Sequence, residues 1–215
     1  MSRIARPSTR RRVPLALALL GALLTWGLAW GAAPPGGTKV GQPAPPFALA
    51  DTAGKTWSLA DLKGKKVILE WTNDGCPYVR KHYGGGNMQA LQREATAAGT
   101  VWLTVISSAP GTEGHVTPAE ADRLTTERKA APTAVLLDPT GTLGHAYGAK
   151  TTPHLFVIDA AGTLVYMGGI DDRPTADPAD IPGARNYVRQ AMADLDAGRP
   201  LADPVTRPYG CSVKY

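Results

Sequence analysis

Apolar and polar positions follow strand-like patterns in five parts of this chain. Three short apolar runs are typical of strands that are buried on both faces, and they cover residues 67–71, 101–106 and 135–137. Two further runs, residues 154–158 and 163–167, flank the turn Asp159-Ala160-Ala161-Gly162 and predict a β-hairpin.

Segments with the composition or periodicity of helices lie between and after these runs. They cover residues 88–98, 118–130 and 184–197. Thr117 is a candidate N-cap for the second of them. Strands that alternate with helices predict an α/β sandwich of three layers with parallel crossovers. The closing hairpin makes the central sheet mixed, with helices on both faces.

The first 33 residues are predicted to direct the chain out of the cytoplasm. Arg10-Arg11-Arg12 precedes an uncharged run over residues 13–33 that is rich in Leu and Ala and ends in small residues. This is the pattern of a signal peptide. The run also reaches the length of about 20 residues that a membrane span needs, so an uncleaved anchor stays open. Either alternative places the domain in the periplasm or outside the cell, where disulfides persist.

Composition divides the rest of the chain into a linker (34–46), a domain (47–198) and a tail (199–215) that carries Cys211.

The net charge of +5 comes from five arginines in the leader, because the residues after it hold 18 basic and 18 acidic side chains. We therefore expect no nucleic-acid partner, and membrane contact only through residues 13–33 if these are not cleaved.

Cys76 stands in the stretch WTNDGCPYV, between a predicted strand and a predicted helix. Pro77 is favourable as the first residue of a helix, which places Cys76 at or next to its N-cap. Free N–H groups and the helix dipole there lower the pKa of a thiol, so Cys76 is a candidate nucleophile. The alternative is an inert buried cysteine, although the turn residues Asn73-Asp74-Gly75 argue against deep burial.

Cys211 is the second of two cysteines in the chain. An exported protein with two cysteines usually pairs them or uses them. A static Cys76–Cys211 disulfide is one alternative. We expect the other, a cycling pair in which Cys76 attacks and Cys211 resolves the product.

Glu70 and Pro153 are further candidates for the site. Glu70 ends an apolar strand, so we expect it to be partly buried, with a raised pKa that suits proton exchange with a nearby thiol; an exposed strand end is the alternative. A cis Thr152–Pro153 bond is possible at the start of a strand.

The histidines lack metal-ligand spacing, so we expect no metal and no cofactor, with a Cys–His site at His154 as the alternative.

The chain from Val40 onward resembles the thioredoxin-like superfamily, and within it the peroxiredoxin-like (redoxin, AhpC/TSA-related) branch. The motifs that carry the resemblance are GCPYVRKHY, TTPHLFVID, LVYMGGIDD and PYGCSVKY. It implies a thioredoxin-like sandwich with Cys76 as nucleophile, Glu70 as the buried acid and Pro153 as the cis-proline. It also implies that Thr152, Pro153 and Pro77 contact the substrate, and that the partner is a protein thiol or disulfide.

The chain departs from the thioredoxin pattern and from the peroxiredoxin pattern in the residues around Cys76. Val79 stands where thioredoxins have a second cysteine, so no local dithiol can form. Leu69 and Asn73 stand where peroxiredoxins have Pro and Thr or Ser. We therefore expect an exported thiol–disulfide oxidoreductase. An antioxidant thiol peroxidase is the first alternative, and a non-enzymatic binding module with a static disulfide is the second.

Overall fold

The computed structural model of the protein describes Met1 and residues 38–215. The predicted signal peptide or anchor over residues 1–33 lies outside the described residues, apart from Met1, and so does the stretch 34–37 of the predicted linker. In the described part, no helix combines the length and the apolar character that crossing a bilayer requires.

The described residues form an alternating series of strands and helices. The strands are β1 (Ala48–Ala50), β2 (Thr56–Ser58), β3 (Val67–Trp71), β4 (Val101–Ile106), β5 (Ala134–Leu137), β6 (Thr151–Thr152), β7 (His154–Ile158), β8 (Leu164–Gly168) and β9 (Cys211–Ser212). The α-helices are α1 (Pro77–Gly84), α2 (Asn87–Ala97), α3 (Pro118–Glu127), α4 (Thr142–Tyr147) and α5 (Tyr187–Asp196).

The central sheet has five strands in the order β5-β4-β3-β7-β8. β3 lies in the middle and pairs with β4 in parallel and with β7 in antiparallel orientation. All five β3 residues are buried, because a central strand with helices or loops on both faces has no exposed side. The predicted mixed sheet is confirmed.

Side chains of β3 alternate between two hydrophobic cores. Ile68 points into the core that α1, α2 and α5 cover. Leu69 and Trp71 point into the opposite core, which α4 and the β1–β2 hairpin cover. These layers confirm the predicted thioredoxin-like α/β sandwich with helices on both faces.

Two segments that the sequence analysis placed outside the domain pack against it. In the predicted linker, Gly41 N–H donates to Leu164 O at 2.8 Å, and Ala44 N–H donates to Gly162 O at 2.9 Å. In the tail, Val213 N–H donates to Lys150 O at 3.1 Å. Backbone hydrogen bonds to the domain, which leave no pattern in the composition, therefore hold both segments.

The helix ends differ from the predicted ones where a cap intervenes. α5 begins at Tyr187 rather than at residue 184, because the Asn186 side chain accepts the Arg189 N–H and caps the helix there. The predicted cap of α3 is confirmed. The Thr117 hydroxyl accepts the Glu120 N–H, and the Glu120 carboxylate accepts the Thr117 N–H, which forms a capping box.

The capping box generates a stability prediction. We expect Thr117→Ala to lower the free energy of unfolding by about 1 kcal/mol, because the first turn of α3 loses a hydrogen-bond acceptor. Thr126→Ala is the matched control, since Thr126 is an exposed residue inside the same helix. Urea denaturation measures both variants, and an equal loss in the two would contradict the cap.

Candidate active site

The turn after β3 places Cys76 at the start of α1. The Asn73 side chain accepts the Gly75 N–H at 2.8 Å, and the Cys76 N–H donates to Asn73 O at 3.2 Å. These bonds close the turn, and Pro77 then begins the helix without needing a partner for an N–H. Cys76 is therefore the N-cap residue of α1, as predicted.

The Cys76 thiol lies between β6 and the tail. Its Sγ atom is 3.0 Å from Thr152 O and 3.4 Å from the backbone nitrogen of Cys211. β9 pairs with β6 in antiparallel orientation, with Cys211 opposite Thr152. The tail thus crosses the site and brings the two cysteines of the chain together, and neither forms a disulfide.

Cys76 is 0% exposed, which the turn residues before it did not predict. The expectation that Asn73-Asp74-Gly75 would keep the cysteine near the surface is wrong. The cover comes from the tail, more than 100 residues further along the chain, and a local pattern cannot show it.

The pKa values of the two thiols shift in opposite directions. Burial raises the pKa of Cys76, but hydrogen bonds together outweigh burial and lower it, and the largest of them come from the side chain and backbone of Cys211. Bonds from the Val79 backbone and the Thr152 side chain lower it further. Burial, and then the hydrogen bond to Cys76, raise the pKa of Cys211 to about 12. Cys76 is therefore the thiol that ionises first.

The predicted substrate-binding residues lie on two sides of this thiol. The Thr152–Pro153 peptide bond is cis, which confirms the resemblance at this position. Thr152 and Pro153 are buried under the tail, whereas Pro77 is exposed at the first position of α1. Contact of these three residues with a substrate stays a prediction.

Glu70 is fully buried in β3, on the face of the sheet that α1 and α2 cover. Its carboxyl group accepts four hydrogen bonds, from Tyr83 Oη (2.7 Å), Trp102 Nε1 (2.8 Å), Gln92 Nε2 (3.0 Å) and Thr104 Oγ1 (3.1 Å). Burial raises the pKa of Glu70 despite these donors, as the sequence analysis expected. Cys76 is not among the four donors, so proton exchange between the two groups stays a prediction.

His154 is buried, and the described contacts of its ring are with Phe156 and Lys150. Its ring lies 4.4 Å from the Phe156 ring, and Nδ1 accepts the Lys150 N–H at 3.2 Å. Burial lowers the pKa of His154 to about 3. Over residues 38–215, no three His, Cys, Asp or Glu side chains cluster in a way that could hold a metal ion.

Four residues where the tail passes α1 were not predicted from the sequence as part of the site. Asp171 is buried and accepts the Tyr209 hydroxyl at 2.5 Å. His82 Nε2 is 3.0 Å from the same hydroxyl, and Lys81 Nζ is 3.9 Å from Asp171. The only signal in the sequence was the unusual number of aromatic and apolar residues in the tail.

Residues 40–167, more than half of the chain, match the AhpC/TSA family. The chain belongs to the AhpC/TSA family. Membership confirms the resemblance inferred from the motifs around Cys76 and Pro153.

Individual relatives and solved structures are similar to the chain and agree with its thioredoxin-like fold. The chain is 27% identical to the thioredoxin-like protein YneN of Bacillus subtilis over 148 residues. This aligned region covers 67% of this chain and 81% of the relative. An uncharacterized conserved protein from Geobacillus kaustophilus has a TM-score of 0.70 and 25% identity, over 82% of this chain and 92% of its own. A candidate thiol:disulfide interchange protein DsbE from Chlorobium tepidum has a TM-score of 0.50 and 26% identity, over 60% of this chain and 84% of its own. Family and fold together support a redox function in general terms.

The thiol contacts of this AhpC/TSA chain generate a prediction about its acidity. We expect Cys211→Ala to raise the pKa of Cys76, because the variant removes the side-chain donor that stabilises the thiolate. Cys211→Ser keeps a donor and should give a smaller rise. Ultraviolet absorbance of the thiolate against pH measures the value in both single-thiol variants, and an identical pKa in the two would contradict the assigned donor.

The buried Glu70 generates a prediction about pH-dependent stability. Its folded pKa lies above the ordinary value of 4.5, so the free energy of unfolding falls as the pH rises from 4.5 through the folded pKa. Glu70→Gln stays neutral and keeps an oxygen for the Trp102, Gln92 and Thr104 donors. We therefore expect the variant to gain stability relative to the wild type as the pH rises through this window. Urea denaturation from roughly pH 4 to 8 tests this, and a constant difference would refute it.

Proposed function

We propose that this AhpC/TSA protein is an exported thiol–disulfide oxidoreductase that exchanges two electrons with a disulfide or dithiol of a protein partner. Cys76 is its nucleophile and Cys211 its resolving cysteine. The observation that carries the proposal is the approach of the tail, which leaves the Cys211 backbone nitrogen 3.4 Å from Cys76 Sγ. The export of the domain rests on the leader of the sequence alone.

Two exchange steps balance the reaction with a partner disulfide. The Cys76 thiolate attacks one partner sulfur, so a Cys76–partner bond forms and the other partner sulfur leaves as a thiolate. The Cys211 thiolate then attacks Cys76 Sγ, the Cys76–Cys211 bond forms and the second partner thiolate leaves. The two cysteines lose two electrons and two protons, and the partner gains them as a dithiol. A partner dithiol that reduces Cys76–Cys211 reverses these steps.

The opposite pKa shifts support this order of attack. Cys76 has the lower pKa and therefore supplies the first thiolate. The high pKa of Cys211 arises in part from its hydrogen bond to Cys76 and from the Cys76 charge. Once Cys76 is in a mixed disulfide, its sulfur no longer carries that charge. Cys211 then ionises more readily, at the step that requires its thiolate.

The position of the cis-proline supports Thr152 and Pro153, with Pro77, as the residues that contact the partner. Thr152 already contacts the thiol through its carbonyl oxygen, and Pro77 is exposed beside it. The tail covers this edge, so the tail must leave β6 before a partner sulfur can reach Cys76.

A thiol peroxidase is the second candidate, and membership of the AhpC/TSA family is the observation that favours it. The site argues against efficient peroxide chemistry. Asn73 stands where peroxiredoxins place a hydroxyl, and its side chain is bound to the Gly75 N–H and lies 3.3 Å from Glu113 O. These bonds fix the turn and leave no hydroxyl beside the thiol at this position.

Trapping experiments test the proposed function. We expect Cys211→Ser to accumulate a mixed disulfide at Cys76 when the reduced protein meets insulin disulfides, because the second step has no thiolate. The wild type should instead release reduced insulin and form Cys76–Cys211. Mass spectrometry of the alkylated proteins distinguishes these products, and Cys76→Ser is the control that should form neither.

Three results would decide against this proposal. Full insulin reduction by Cys211→Ser at the wild-type rate would remove the resolving role of Cys211. If hydrogen peroxide forms a sulfenic acid on Cys76 much faster than insulin forms a mixed disulfide, the peroxidase is the better assignment. A wild-type Cys76–Cys211 disulfide with a potential well below about −300 mV would indicate a static structural bond.

A further inference from the structure

A buried polar cluster lies where the tail passes α1. It consists of Lys81 and His82 from α1, Asp171 after β8, and Tyr209 from the tail, and we call these four residues the tail clamp. The side chains of Lys81, His82 and Asp171 are at most 1% exposed. Tyr209 stands two positions before Cys211, so a contact that fixes Tyr209 also restricts the tail cysteine.

Hydrogen bonds run through the tail clamp in one direction. Asn87 Nδ2 is an amide donor and lies 2.9 Å from His82 Nδ1, which must accept. His82 Nε2 therefore carries the proton and donates to the Tyr209 hydroxyl at 3.0 Å. That hydroxyl donates in turn to Asp171 Oδ1 at 2.5 Å. Burial lowers the pKa of His82 to about 4, so its ring is neutral near pH 7, as this direction requires.

Charge and packing restrain the same tyrosine. Lys81 Nζ donates to Arg173 O at 2.7 Å, lies 3.9 Å from Asp171 Oδ2 and stands 5.6 Å from the centroid of the Tyr209 ring. The Tyr78 ring of α1 packs edge-on against the Tyr209 ring at 5.8 Å. A hydroxyl bound to a buried carboxylate forms a stronger hydrogen bond than one between neutral groups.

The strand β9 is a short anchor for Cys211. It pairs with β6 over two residue pairs, and so short a ladder has little stability by itself. Downstream of β9, the Val213 N–H to Lys150 O bond and the Tyr215 hydroxyl on Ala149 O also hold the tail. Upstream of Tyr209, backbone hydrogen bonds attach the tail at Thr206, five positions before Cys211. Tyr209 is therefore the attachment nearest to Cys211 on that side.

We propose that Tyr209 is a positioning residue through which the tail clamp seats the Cys211 thiol over Cys76. This rests on the proposed function, because it assigns the clamp to the step in which Cys211 attacks the mixed disulfide. In that step the Cys76–Cys211 bond forms, the Cys76–partner bond breaks, and the partner sulfur leaves with the electron pair. A seated tail raises the effective concentration of Cys211 at Cys76, which favours the intramolecular disulfide.

The test is the thiol–disulfide equilibrium of the purified protein with glutathione. Tyr209→Phe keeps the ring and removes the hydroxyl, so we expect the equilibrium constant for forming Cys76–Cys211 to fall about tenfold. Amide hydrogen exchange over β9 should become faster in the reduced variant, while exchange over β3 and β7 stays at the wild-type rate. This second readout shows that the tail has loosened without a general loss of structure.

Two matched variants complete the design. Tyr147→Phe removes another buried hydroxyl, which donates to Pro45 O at 2.9 Å on the opposite face of the sheet, and should leave the equilibrium constant unchanged. A Cβ added at Gly210 would collide with the Thr152 carbonyl oxygen. Gly210→Ala should therefore unseat β9 directly and lower the equilibrium constant at least as far as Tyr209→Phe.

The outcomes separate the clamp from the proposed function. An unchanged equilibrium constant and unchanged exchange in Tyr209→Phe, with Gly210→Ala lowered, would overturn the clamp and leave the cysteine pair standing. An equal fall in Tyr147→Phe would also overturn it, because the effect would then be a general loss of stability. A wild-type protein that forms no Cys76–Cys211 disulfide would overturn the proposed function, and the role of the clamp in it.

Discussion

The antiparallel pairing of β9 with β6 is the contact on which the proposed thiol chemistry of this protein depends. Two residue pairs bring Cys211 opposite Thr152, directly before the cis Thr152–Pro153 bond. That register supplies Cys76 with an N–H donor and a second thiol, and it removes the thiol from solvent. The contacts between the two cysteines that shift their pKa values in opposite directions, and the burial of Cys76, depend on this short ladder.

The sheet and the position of the nucleophile could be predicted from the sequence because their signals are local. The apolar run at β3, the Cys-Pro step at the start of α1 and the Thr117 cap each act over a few residues. The sequence left two alternatives for Glu70, a partly buried acid and an exposed strand end, and the structure shows burial, which raises its pKa.

The path of the tail could not be predicted, because it is fixed by contacts between residues that are far apart in the chain. Cys211 meets a thiol 135 positions earlier, and Tyr209 meets His82 at a separation of 127. Asp171 had the sequence context of a turn residue, and its backbone partner Arg173 does make a turn contact. The Tyr209 hydroxyl reaches the same carboxylate oxygen, Asp171 Oδ1, only in the folded chain. The packing of residues 41–44 could not be predicted for the same reason, because their hydrogen-bond partners lie in the distant β7–β8 hairpin.

Complete burial of Cys76 has a kinetic consequence. In the proposed exchange reaction, this thiol without exposed surface reacts only in the fraction of molecules whose tail is open, so its apparent affinity for any partner is reduced by that fraction. When partner is scarce, turnover depends on both the open fraction and the chemistry of the encounter. When partner is abundant, turnover reaches a ceiling set by the opening rate of the tail. That ceiling is a property of this chain alone and is the same for every partner.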